Sequence, residues 1–97
     1  MTAQTSRILS TVAQELHVSE EDLLRQGLRT YLERQLRAIK TEIFAISGRY
    51  GINSAEEMES RYRDGSLDEA DSWRDFQHLD HLEYKRDRLV QLIEAVS

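Results

Sequence analysis

Apolar side chains recur through most of this chain at alternating spacings of three and four residues, the pattern of helices that pack lengthwise against one another. The longest run joins Leu32, Leu36, Ile39, Ile43, Ile46 and Tyr50, and Leu24 and Leu28 extend it upstream. Both of its ends are marked. The segment Val18-Ser19-Glu20-Glu21-Asp22-Leu23 offers Ser19 as N-cap, Asp22 to return the hydrogen bond and Val18 to pack on Leu23. Its three acids stand in the first turn, where the helix dipole favours them. At the far end Gly51 is placed to close the last turn in a left-handed conformation. The pattern predicts one helix over residues 19–50, roughly 48 Å long. A rod of that length must be covered by the rest of the chain or by a second copy.

Upstream, Ile8, Leu9, Val12, Ala13 and Leu16 predict a helix over residues 6–16 behind Thr5 or Ser6 as cap, with a break at His17 and Val18. Downstream, Ser54 and Glu57 form a capping box for a short helix over residues 54–63, with Ala55, Met58 and Tyr62 on its apolar face and Asp64-Gly65 ending it. A final helix over residues 67–96 starts at Ser66 or Ser72 and carries Trp73, Phe76, Leu79, Leu82, Leu89, Leu92, Ile93 and Val96 in a stripe that drifts slowly round it. Two long helices with matching seams and a short link predict an all-α fold: a single domain over 1–97 built as a long antiparallel helical hairpin with a short N-terminal and a short connecting helix, and dimeric. Trp73 and Phe76 are expected beside the Ile46–Tyr50 end of the second helix. Gly27 and Gly48 interrupt that helix at about 1 kcal/mol each relative to alanine. A close approach of another helix would explain Gly27, and Gly48 beside Ser47 marks an early end or a kink.

Composition sharpens this picture in three places. The 97 residues include no proline, where average usage would give about five, and a chain without proline can be helical nearly throughout. No cysteine is present, which removes disulfides and thiolate chemistry. The beginning of the chain lacks the features of a signal peptide and no apolar run approaches a membrane span, so the expected location is cytoplasmic, without membrane contact. The net charge of −5 divides unevenly, +1 over residues 1–50 and −6 over residues 51–97. An acidic half suits a basic protein partner better than nucleic acid.

Candidate chemistry is sparse. The turn between the first two helices has the outline of a helix-turn-helix, but the residues that would face DNA are Glu20, Glu21 and Asp22, which repel phosphate. Arg25, Arg29, Arg34, Arg37 and Lys40 form a basic arc on the second helix, suited to nucleic acid or an acidic partner, or else to pairing with neighbouring acids. Asp71, Asp75, His78 and His81 follow one another along the last helix at spacings that would bring a divalent metal into consideration, yet no further ligands are marked elsewhere. Phosphate-binding glycine loops, nucleophile elbows and paired-histidine zinc helices are lacking. No cofactor, small-molecule ligand, metal site or catalytic residue is expected, and no enzymatic activity. Tyr62, Trp73 and Phe76, with Asp68, Glu69 and Asp71 around them, are the candidates for partner binding. The other reading of the same aromatics, and the favoured one for Trp73 and Phe76, is core packing at the hairpin end.

The run Val12-Ala-Gln-Glu-Leu-His-Val-Ser-Glu-Glu-Asp-Leu-Leu-Arg-Gln-Gly-Leu-Arg-Thr-Tyr-Leu-Glu33 resembles the helical part of small prokaryotic antitoxins of the ribbon-helix-helix kind. Arg49-Tyr50-Gly51-Ile52-Asn53-Ser54, Gly65-Ser66-Leu67 and Trp73 are similar to stretches of uncharacterised helical proteins encoded beside toxins in bacteria and archaea. The alternating strand that opens a ribbon-helix-helix dimer is not visible in Met1–Arg7. The resemblance therefore implies toxin binding rather than operator binding: an antitoxin-like module that neutralises a basic partner such as a ribonuclease toxin. A self-associating structural or adaptor coiled-coil protein is the other expectation.

Overall fold

A computed structural model describes residues 2–97. Four helices follow one another: α1 (Ala3–Leu16), α2 (Glu20–Tyr50), α3 (Ala55–Asp64) and α4 (Glu69–Val96). Together they take up 86% of the chain, with no strand among the described residues. Helix α2 packs along α4 as an antiparallel hairpin, α3 lies on α4, and α1 lies on α2. The result is a rod of 61 × 22 × 18 Å. Its radius of gyration is 19.7 Å, against about 12.5 Å for a compact chain of this length.

The turn chemistry holds where the sequence marks it, with local differences. Ser19 accepts the Asp22 N–H at 3.0 Å, but Asp22 does not return the bond; its carboxylate takes Arg25 at 3.1 Å instead. Ser54 accepts the Glu57 N–H at 3.1 Å, and Glu57 reaches back one residue further, to the Asn53 N–H at 2.9 Å. Gly51 and Gly65 both adopt the left-handed conformation, at φ 64° and 79°. Here a Cβ would be strained, so these two positions terminate α2 and α3. Arg61 adds a second closure for α2, donating to the carbonyls of Tyr50 and Gly51 at 3.0 Å each.

Two expected helix starts move. Helix α1 begins earlier, capped by Thr2, whose hydroxyl accepts the Thr5 N–H at 3.2 Å. Residues 2–7, where a ribbon strand would lie, are thus cap and helix, and Met1 is outside the described residues. His17 ends α1 in a left-handed conformation at φ 59°. Helix α4 starts at Glu69 behind Asp68, whose carboxylate accepts the Ala70 N–H at 2.9 Å. Neither Ser66 nor Ser72 is the cap: Ser72 is buried inside α4 and donates to the Asp68 carbonyl at 2.7 Å. Gly48 does not end α2, which continues to Tyr50. A Cβ added at Gly27 would meet nothing within 4 Å, so no helix of this chain approaches it closely.

The core sits at one end. Ile46, Ile52, Ala55, Met58, Leu79 and Leu82 form a single buried cluster, with Met58 and Leu79 fully enclosed. Tyr50, Tyr62 and Phe76 pack against it. This half of the hairpin is closed because α3 supplies a third helix; two helices alone touch along one line and cannot enclose a side chain from all sides. Along the other half only Ala13, on α1, is buried.

Candidate functional site

The closed end is held by polar contacts that fix its shape. The Tyr50 hydroxyl donates to the Asp75 carboxylate, which also accepts from Arg49 at 3.1 Å. The Ala55 N–H, at the start of α3, donates to Glu83 on α4 at 3.0 Å. Ser72 gives its hydrogen to Asp68, so the Tyr62 hydroxyl 2.7 Å away donates to Ser72. The Tyr62 ring meets Phe76 edge-on, with centroids 5.7 Å apart.

The three candidate aromatics are thereby separated. Tyr62 and Phe76 belong to the packed end, as the core reading of these residues expects. Trp73 does not: it is 46% exposed, on the first turns of α4. Glu69 and Asp71 on the same turns are also exposed. An indole half out of water on an acidic segment is an interface feature more than a packing one. The charge follows the same division of the rod. Residues 38–83, which include the closed end, hold five basic and eleven acidic side chains. The whole negative excess lies there.

The potential metal cluster is taken apart by the packing. Asp75 is committed to Tyr50 and Arg49 across the hairpin, and His78 approaches Glu42 of α2 at 3.7 Å. Asp71, Asp75, His78 and His81 therefore do not converge, and no cluster of three potential ligands occurs among the described residues. The basic arc is likewise partly spent on its own helix. Arg25 pairs with Glu21 at 2.9 Å and Asp22 at 3.1 Å, and Arg29 pairs with Glu33 at 2.8 Å. Arg34, Arg37 and Lys40 make no ion pair among the described residues.

The bond donated to Asp75 raises the Tyr50 pKa, with burial and then the Asp75 charge acting in the same direction. A raised folded-state pKa means that the contact stabilises the fold below the ordinary tyrosine value near 10 and is lost as pH climbs through the higher folded value. Wild-type protein is thus expected to lose thermal stability more steeply than Tyr50→Phe between about pH 9 and pH 11, as read by the melting midpoint in circular dichroism. Parallel curves would remove the role given to this contact.

One surface escaped the sequence pattern. Phe44 is 80% exposed and borders a groove of about 520 Å³ with Lys40, Ser47, Gly48, Ile52 and Arg86. The Ser47 hydroxyl on this groove is buried without a hydrogen-bond partner. The signal was available: Phe44 follows Ile43 directly and so falls off the seam, where an aromatic residue has no packing reason. Tyr31 and Tyr84, 61% and 68% exposed, are two more aromatics outside the core.

A family model matches residues 1–97 over the full chain, that of the uncharacterized protein MJ0235 family. The chain belongs to this family. No curated protein and no solved structure matches. No helix among the described residues is long and apolar enough to cross a membrane.

Proposed function

We propose that the chain is an antitoxin-like protein-binding module of the prokaryotic cytoplasm whose acidic closed end covers and neutralises a basic protein partner, a ribonuclease toxin being the specific case. The observation that supports it most directly is Trp73, half out of water one helical turn from Glu69 on an end that carries the entire negative excess. An exposed indole provides a large apolar anchor, and the carboxylates steer a basic partner toward it. The resemblance of the Val12–Glu33 run and of Arg49–Ser54, Gly65–Leu67 and Trp73 to toxin-associated helical proteins points the same way. In this reading the chain catalyses nothing and holds no cofactor.

The test is growth rescue combined with capture. The tagged chain, taken from a lysate of its native host with nuclease added, is expected to retain a stoichiometric basic protein whose expression alone arrests growth and whose co-expression with this chain does not. Association of the pair is expected to slow at least about tenfold at low ionic strength when Glu69 and Asp71 are both changed to lysine, and much less in high salt. Asp68 is spared because it caps α4. An unchanged rate, or a captured partner without effect on growth, refutes the reading. The competing reading, a self-associating structural or adaptor protein, is favoured by the apolar surface at the other end of the rod and predicts no basic partner.

A further inference from the structure

The seams of α2 and α4 do not stop where the core stops. They continue through Leu24, Leu28 and Leu32 on one helix and Leu89, Leu92 and Val96 on the other, with the same residue types as the closed half. Yet no side chain of α2 or α4 in this open half is buried. Leu24 is 43% exposed, Leu28 48% and Leu92 36%. Between the two helices runs a groove of about 320 Å³, lined by Leu32, Ile39, Leu89 and Leu92 and flanked by the exposed Tyr31 and Tyr84. Helix α1, joined to this end by the His17 turn, leaves Ile8 and Leu16 at 57% and 62% exposure.

We infer that two copies of this chain pair symmetrically through the open half of the hairpin, with the groove between Tyr31 and Tyr84 at the centre of the contact. Three observations name a second copy as the occupant. The first is area. The chain exposes 7318 Å², against roughly 5,800 Å² for a compact monomer of its mass. The excess of about 1,500 Å² per chain is what each partner contributes to an interface in the permanent range. The second is charge. Residues 3–37 hold five basic and five acidic side chains, and residues 84–97 three and two, so this half is nearly neutral within an acidic protein. A charged partner finds no field there, whereas a second copy meets no repulsion. A head-on contact through the closed ends would instead bring two groups of carboxylates together. The third is Gly27, which lies one helical turn from Leu24 and Tyr31 and weakens α2 without any neighbour in its own chain. A helix of the second copy crossing there is the approach that its missing Cβ admits.

The pairing is isologous: the groove of each copy receives the tyrosines of the other, and the closed acidic ends point outward. It is independent of what those ends bind.

Sedimentation equilibrium of the purified full chain provides the test. A mass of twice 11.4 kDa is expected at micromolar concentration, and the thermal midpoint is expected to rise with protein concentration, as it does only when folding and association are linked. Leu28→Lys with Tyr31→Glu is expected to raise the dimer dissociation constant at least about thirtyfold while helical circular dichroism persists, since both positions are exposed in the single chain. Phe44→Glu, on the other face, is expected to leave the dimer intact. A mass of 11.4 kDa up to about 100 μM with a concentration-independent midpoint overturns the inference. A dimer broken by Phe44→Glu but not by the double variant overturns it as well, because the face is then the Phe44 groove. So does assembly beyond two copies, which a closed symmetric contact forbids. Should the double variant not fold, the concentration dependence of the wild-type midpoint decides alone.

Discussion

Leu79→Ala is expected to lower the unfolding free energy by about 3–5 kcal/mol, the upper part of the range for leucine truncation in a core. Leu79 is fully enclosed by the cluster of Ile46, Ile52, Ala55, Met58 and Leu82. Those residues come from α2, the α2–α3 link, α3 and α4, so the cavity would open where all the packed elements meet. The neighbours that would collapse into it are themselves fixed: α3 is tied to α4 by the Ala55 N–H to Glu83, and α2 to α4 by Tyr50 and Arg49 to Asp75. A domain of this size has roughly 5–10 kcal/mol in all. The variant is therefore expected to be partly unfolded at 37 °C. Urea titration followed by helical circular dichroism, at one fixed protein concentration, measures the loss. Phe44→Ala, at an 80% exposed position, is the comparison and is expected to change stability by less than about 0.5 kcal/mol. Equal effects of the two would mean that the chain has no localised core.

Trp73→Ala is expected to do the opposite: leave the fold alone and weaken partner binding about thirtyfold or more, as loss of an aromatic anchor worth about 2 kcal/mol does. The indole is 46% exposed and is not a member of the buried cluster. Phe76→Ala separates the two roles. That ring packs edge-on against Tyr62 and partly covers the core, so its removal is expected to cost stability first. Calorimetric titration against the captured basic protein, paired with a urea curve for each variant, reads both quantities. If Trp73→Ala binds with unchanged affinity, the acidic end is not the contact surface, whatever the chain's role.

The sequence alone could not make that separation. Trp73 and Phe76 are three residues apart on one amphipathic helix, and both fall on its apolar stripe. Which of them is covered depends on where α3 lies across α4, and that follows from the Glu83 contact and the reach of the α2–α3 link. The metal cluster failed for a related reason. The spacing of Asp71, Asp75 and His78 is a property of one helix, but Asp75 is claimed by Tyr50 and Arg49 from another. The mistaken caps at Thr5 or Ser6 and at Ser66 or Ser72 came from competition among several residues able to cap, of which Thr2 and Asp68 hold the N–H groups.

What the residues determine by themselves is the helical content, the two terminating glycines, the matching seams of the two long helices and the charge division. Each rests on local chemistry: period, capping, the strain of a left-handed turn, a count of ionised groups. Only the tertiary structure decided that the matching seams are buried in one half and bare in the other. A seam records that a helix has an apolar face, and the same spacing serves a third helix of its own chain or a helix of another. Burial needs an element to lie over the seam. Helix α3 does so at the closed end, while α1 buries little more than Ala13 at the open one.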